Sequence, residues 1–203
     1  MCNLYRMTRT ADEIAHLFDV KLEAEGGNVG GEIYPGEPGL VVAEGELRQM
    51  HWGFPLALHG KQGQRLKPKP VNNARSDKLE GPFWHASFVK RRCLIPLTGY
   101  AEAEGKKGHK TRSWLAMPDG EPFAAAGMWR YSDEWGEVYS MIVTDAAGAA
   151  AEVHTRMPAI IPQDEWRTYL EAEPKRAFAL CQPYEGELAL DRTRQLWGGG
   201  WAD

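Results

Sequence analysis

The second residue, Cys2, carries the most reactive pairing of groups in the chain. A small side chain at position two is what methionine aminopeptidase accepts, so loss of Met1 would leave a free α-amine two carbons from a thiol. The two groups titrate near ~8 and ~8.5, and both are partly nucleophilic at neutral pH. Together they can trap an aldehyde. The amine forms an imine, the thiol closes onto the same carbon, and a five-membered thiazolidine results, with closure inside one residue making the second step fast. The plainer reading of a lone terminal cysteine is a small buried hydrophobe. Cys93 and Cys181 stand far off in sequence and no CxxC occurs, so neither a disulfide framework nor a cysteine zinc site is supported. No metal and no cofactor is expected.

Four further segments join polar residues to strand ends or turns: Met50-His51-Trp52-Gly53-Phe54-Pro55, Asn73-Ala74-Arg75-Ser76-Asp77, Arg92-Cys93-Leu94-Ile95-Pro96 with Gly99-Tyr100-Ala101-Glu102, and His154-Thr155-Arg156-Met157-Pro158. With Cys2 they resemble the SOS response-associated peptidase (SRAP) family. Its members begin Met-Cys and carry Trp-Gly, Asn-Ala-Arg, Arg-Cys-Leu-(Ile/Val)-Pro…Gly-(Phe/Tyr)-x-Glu and His-x-Arg-Met-Pro in this order. Each motif alone is weak, but all of them in order, from residue 2 to about residue 170, make a specific match. The resemblance implies a single α+β domain over residues 1–203, built on a curved, mainly antiparallel, barrel-like sheet with short peripheral helices. It also implies covalent capture of abasic sites in single-stranded DNA, because a ring-opened abasic sugar exposes an aldehyde at C1′.

Carried over residue by residue, the resemblance makes Cys2 the nucleophile. Asn73 would hold the α-amine and sugar oxygens through an amide that both donates and accepts; without the family match it reads as a turn-capping residue. Glu102 would take the proton from the amine and help remove Met1, with Glu104 as the competing carboxylate. His154 would open the sugar ring as acid/base, a task suited to a near-neutral group. Arg75 and Arg156 would bind the phosphates flanking the lesion, Trp52 and Pro55 would wedge against the neighbouring base, and Thr144 would offer its hydroxyl to the lesion sugar. For Trp52 core packing competes, since the chain has eight tryptophans. Two departures from the family pattern are visible. Ala103 replaces the aromatic that follows the glutamate, and Glu32-Ile33-Tyr34-Pro35-Gly36-Glu37-Pro38 stands where the family has Asn-x-Ala-Pro-Thr.

These residues need elements to position them. With 203 residues, 43% of them hydrophobic and 26% charged, the chain has the make-up of a globular domain rather than a disordered, collagenous or membrane-spanning one. No apolar run reaches the ~18 residues of a spanning helix, and the first residues lack a signal-peptide core, so a cytoplasmic protein is expected; a monomer is expected too, and the resemblance implies that it is nucleoid-associated when bound to damaged DNA. Net charge is −4, yet nine basic residues face two acidic ones between Lys61 and Arg92, a local +7 against −11 elsewhere. That fits a polyanion site, and equally a solvated charge run. Thr10 with Glu13 has the capping-box pattern and predicts a helix over Thr10 to Phe18. Short apolar runs predict strands at Leu40 to Ala43, Leu47 to Phe54, Cys93 to Ile95, Ser113 to Met117, Phe123 to Trp129 and Val138 to Thr144. The Gly- and Pro-rich stretch Gly26 to Gly39 reads as a connection. Ala146 to Ala151 and Asp164 to Leu170 are helix candidates, the second with an Asp cap.

Two other activities compete. A thiol peptidase or amidohydrolase using Cys2, Glu102 and His154 in trans would need an oxyanion hole and a groove that no motif specifies. A non-covalent module for single-stranded DNA would use the basic segment and Trp52 but leave Cys2 unexplained.

Overall fold

Apolar runs become strands here, and positive-φ glycines turn the chain between them. The structure, a computed structural model, describes residues 2–23 and 31–201. Strands and helices are numbered in chain order. β4 (Pro38–Ala43) lies antiparallel to β5 (Glu46–Trp52) and to β9 (Arg92–Leu97); β9 pairs with β12 (Phe123–Ser132), and β12 with β13 (Gly136–Asp145). β13 then returns parallel to β5 and closes a mixed five-stranded barrel. Every residue of β9 is buried, because other strands flank it and side chains cover both faces. At its start the buried Arg92 guanidinium donates to the carbonyls of Phe88, Val89, Tyr169, Leu170 and Ala172, fastening α2 (His85–Lys90) and α4 (Trp166–Glu171) to the barrel. Without those acceptors a buried guanidinium would be costly.

A second, antiparallel sheet lies against the barrel in the order β16 (Ala189–Leu196), β11 (Thr111–Ala116), β10 (Gly99–Glu104), β1 (Tyr5–Met7), β3 (Gly31–Ile33). Cys2, Tyr5 and Tyr100 join the main core, whereas Leu4, Ala101 and Trp114 form a separate cluster with Tyr34 and Trp197. This two-sided burial is the strand alternation expected of a covered sheet. Short strands fill the margins: β2 (Lys21–Leu22) beside β5, β8 (Asn73–Arg75) and β14 (Arg156–Pro158) beside β13, and β15 (Ile160–Ile161) beside β12. β6 (Phe54–His59) and β7 (Arg65–Val71) form a two-stranded ribbon. Of the helices, α1 (Ala11–Phe18) has both halves of its capping box, Thr10 Oγ1 accepting from the Glu13 N–H and Glu13 accepting from the Thr10 N–H at 2.7 Å. α3 (Gly148–Val153) packs on β10 and β11, and α5 (Pro174–Ala179) on α4.

The mainly antiparallel, barrel-like α+β architecture agrees with expectation, and the local differences have physical causes. The run Leu47 to Phe54 is two strands, broken at Gly53 with φ +125°, where a Cβ would lie 2.5 Å from Pro70 Cβ. Only glycine accepts that conformation and approach. The Ala146 to Ala151 helix lies two residues later, as α3. The Asp164 to Leu170 helix opens as a 3-10 turn over Gln163–Glu165 with no side-chain cap, so Asp164 is inside the turn rather than before it. Residues 24–30 of the Gly- and Pro-rich stretch, like Met1, lie outside the described residues. Among the described residues no helix is long and apolar enough to cross a membrane.

Candidate active site

Cys2 is 1% exposed, and its thiol donates to the Leu4 carbonyl at 3.6 Å. Its own carbonyl accepts from two side-chain amides, Asn73 Nδ2 at 2.7 Å and Asn72 Nδ2 at 3.0 Å. Parallel pairing of Asn73 with Met141 and Ala74 with Ile142 fixes the first amide on the barrel wall. The second is fixed by Trp52, whose indole Nε1–H donates to the Asn72 carbonyl at 3.0 Å, while Asn72 also donates to Asn3 Oδ1 at 3.1 Å. Asn73 Oδ1 is buried and accepts from no described residue. An amide with one end committed and the other unspent is poised for a donor that a substrate or a free amine would bring.

Antiparallel pairing places Tyr100 opposite Tyr5 and Glu102 opposite Ser113. Tyr100, Glu102 and Glu104 share one face of β10 by alternation. The two carboxyls then part company. Glu104 accepts from the Ser113 hydroxyl at 2.7 Å and pairs with Arg192 at 3.0 Å, and the Ser113 hydrogen bond, with Arg192 in support, holds it below the usual carboxylate range. Glu102 is 4% exposed, and burial pushes it up to about 7. Burial also pushes the Cys2 thiol up, and the Glu102 charge adds to the rise, which puts the two groups within electrostatic reach of each other. Tyr100 is raised too, by burial and then by Cys2 and Glu102, and its buried hydroxyl has no hydrogen-bond partner among the described residues.

His154 caps the C-terminal end of α3, over the sheet that carries Glu102. Its Nδ1 accepts from the Arg156 N–H at 2.9 Å, so in the neutral ring the proton sits on Nε2. Burial holds this imidazole below its ordinary value. Arg75 and Arg156 flank β13: Arg75 stands opposite Val143 and Arg156 opposite Asp145. Arg75 is exposed and grips Asp77 with two hydrogen bonds of 2.9 and 2.7 Å, while Arg156 pairs with Asp145 at 2.5 Å. The Asp77 carboxylate is lowered mainly by the Arg75 hydrogen bond and also feels Arg156, so the two arginines border one patch.

Other expectations need correction. Trp52 is 0% exposed, edge-on to Tyr5 at 5.0 Å and stacked with Tyr139 at 6.5 Å, and has no free face for a base. It is a core residue that positions Asn72. Thr144, opposite Met157, is buried in the barrel wall, as Cys2 and Glu102 are buried. Pro55 is partly exposed at the base of the ribbon, opposite Pro70. Sequence reasoning missed Asn72 as a second amide on Cys2 and Tyr100 as a buried hydroxyl. The doubled asparagine was the available signal, but a residue just before a strand has no face that alternation can assign. Among the described residues no group of three His, Cys, Asp or Glu side chains could hold a metal ion.

A model of the family described as SOS response associated peptidase (SRAP) matches residues 1–195. The chain belongs to the SRAP family. Among relatives of this SRAP chain, the abasic site processing protein YoaM of Bacillus subtilis is 24% identical over 205 residues, covering 92% of this chain and 88% of that protein. The abasic site processing protein YMR114C of Saccharomyces cerevisiae is 26% identical over 132 residues, 63% of this chain and 35% of that longer protein. A protein of Bordetella bronchiseptica, known from a crystal structure, has the same fold, with a TM-score of 0.78 at 20% identity over 95% of this chain and 99% of its own. A Bacteroides thetaiotaomicron protein gives 0.77 at 20% identity over 95% and 92%.

Proposed function

We propose that this SRAP protein captures ring-opened abasic sites in single-stranded DNA as a thiazolidine on Cys2, after loss of Met1. The observation that carries the reading is the double amide grip on Cys2 beside a buried carboxyl that titrates near neutrality. The grip fixes the backbone of the aminothiol, so that attack needs little further ordering. Glu102 takes a proton from the α-ammonium. The amine adds to the C1′ aldehyde and water leaves, giving an imine. The thiol sulfur then bonds to the same carbon, and its proton passes to the nitrogen. A carboxyl near 7 suits the first of these steps, since general bases work best close to the operating pH. Asn73 Oδ1 accepts from the amine or a sugar hydroxyl, and His154 supplies the proton that opens the sugar ring. Arg75 and Arg156 exchange their present carboxylate partners for the phosphates flanking the lesion, and Pro55 sits against the neighbouring base. The names of the Bacillus and yeast relatives support the substrate class.

The test incubates protein of verified N-terminal mass with matched abasic and intact oligonucleotides, followed by denaturing gels. A shifted band that survives denaturation, with the abasic strand only, is expected. A protein that retards both strands equally and leaves no denaturation-resistant band is a reversible binder, and the proposal fails.

A further inference from the structure

A second basic stretch lies next to the candidate active site, in the hairpin that joins β10 to β11. It reads Gly105-Lys106-Lys107-Gly108-His109-Lys110, and all six residues are exposed. The His109 N–H donates to the Lys106 carbonyl at 2.9 Å, which closes the turn. The nearby carboxylates are already engaged, Glu104 by Ser113 and Arg192 and Glu32 by Arg112 at 2.6 Å. Lys106, Lys107 and Lys110 make no ion pair among the described residues. Such a run is commonly a solvated tip and nothing more. Lys110 departs from that pattern because it folds back. Its Nζ lies 3.5 Å from the carbonyl oxygen of Ala103, the residue after Glu102, a contact long enough for a phosphate to displace. Glu102 and His154 both feel its charge.

A second turn lies against this hairpin. Leu196, at the end of β16, leads into Trp197-Gly198-Gly199-Gly200-Trp201, just beyond the part of the chain that the SRAP family model matches. The Leu196 N–H donates to the Gly200 carbonyl at 2.8 Å, and the Trp197 N–H donates to the Lys110 carbonyl at 2.8 Å, which ties the two turns together. Between them lies a cavity of about 320 Å³, lined by Gly108, Lys110, Leu196, Trp197, Gly198 and Gly199. That volume is at the small end of the range for ligand cavities and suits one planar ring system. Trp197 is half-buried. It packs against the Leu4, Ala101 and Trp114 cluster and also lines the cavity, so its indole is supported on one side and open on another. An aromatic platform beside an unpaired ammonium is the pairing that receives a base and its phosphate from a single strand.

The geometry points to a nucleotide subsite in this cavity, with a base of the single strand stacked on Trp197 and a phosphate on Lys110. Hydrogen bonds connect it to Cys2. The Cys2 thiol and the Ala101 N–H, at 2.9 Å, share the Leu4 carbonyl, so the strand that borders the thiol is β10, which runs on into the lysine hairpin. The Cys2 carbonyl is held by Asn73 on β8, which runs on to Arg75. A strand with its lesion at Cys2 then meets cations in two directions, the arginines beyond β8 and the lysines beyond β10. The nucleic-acid identity of the ligand rests on the proposed function.

The experiment measures the affinity of the full chain for two single strands of equal length across a salt series. One is an ordinary undamaged oligonucleotide. The other is a base-free strand of stable tetrahydrofuran residues, which keeps the phosphates and offers neither base nor aldehyde. Trp197→Leu keeps an apolar group against the Leu4 cluster and removes the ring. It should lose about fivefold or more in affinity for the ordinary strand, with the salt slope unchanged, and match the parent on the base-free strand. Lys110→Gln, on an exposed side chain, should flatten the log–log salt slope by about 0.7 on both strands. A structural role for Trp197 lowers both affinities alike, and that result overturns the subsite, as does parental affinity of Trp197→Leu for both strands. Lys110→Gln keeps the inference testable if Trp197→Leu does not fold, because a flattened slope upholds the phosphate contact and a parental slope overturns it. Crosslinking of an abasic strand is scored separately in the parent, so failure of the proposed function and failure of this subsite give different results.

Discussion

Replacing Glu102 by glutamine should stabilise the protein at alkaline pH while removing its activity. In the folded chain burial raises this carboxyl from 4.5 to about 7, whereas in the unfolded chain it returns to the ordinary value. Between those pH values the folded state holds a proton that the unfolded state has released. Stability therefore falls as pH rises through that window, and the full penalty is present above about 7. At ~1.4 kcal/mol per pKa unit the ceiling is about 3.5 kcal/mol, and local relaxation around a buried charge brings the expected figure to about 1–2 kcal/mol. Glu102→Gln keeps the shape and cannot ionise, so it should exceed the parent by that amount at pH 8 and match it within about 0.5 kcal/mol at pH 5. Urea unfolding at both pH values measures the difference, and a crosslinking time course on the same preparations should show roughly a 10²–10⁴-fold loss of rate. A variant that is less stable than the parent at pH 8, or that gains equally at pH 5, refutes the assignment of a strained, near-neutral carboxyl to this position.

Cys2→Ala should abolish the denaturation-resistant band while leaving most of the reversible affinity for single strands; a crosslink at parental yield would show that the aminothiol is not the nucleophile. Trp52→Ala should destabilise the fold by about 3–5 kcal/mol through the cavity it leaves, and Trp52→Phe by about 1 kcal/mol through the lost bond to the Asn72 carbonyl, both read by urea unfolding. His154→Ala should slow both formation and reversal of the crosslink without preventing either. Because His154 acts as the acid in ring opening, its contribution to the parental rate should fall as pH rises through the lowered imidazole pKa. A time course across pH checks this, and a parental rate profile in the variant would leave His154 a structural residue.

Sequence was informative about the fold where the cause is local and silent where it is not. The capping box of α1 depends on Thr10 and Glu13 alone, three residues apart, and it is present in full. β9 reads as a strand because a central strand is apolar throughout. The break at Gly53 depends on Pro70, which arrives on the returning strand of the ribbon, so an unbroken apolar run conceals it. β16 is concealed for the opposite reason. It is an edge strand, Ala-Leu-Asp-Arg-Thr-Arg-Gln-Leu, none of its residues is fully buried, and no apolar alternation marks it.

The same distinction decides which site residues were legible. Met50 and Trp52 sit two apart on β5 and are both buried, with His51 exposed between them. That alternation identifies Trp52 as a core residue more directly than the family resemblance marked it as a DNA contact. Alternation cannot choose between Glu102 and Glu104, because it puts both on one face of β10. The choice depends on depth. Glu104 lies at the strand end, where the Ser113 hydroxyl, with Arg192 from β16 in support, holds it ionised. Glu102 lies one pairing step further in, beside Cys2, where burial raises it. Position along β10, with Ser113 of β11 and Arg192 of β16 at the outer place, is thus what separates the two carboxylates, holding one ionised near the surface and leaving the other buried near Cys2 with a raised pKa.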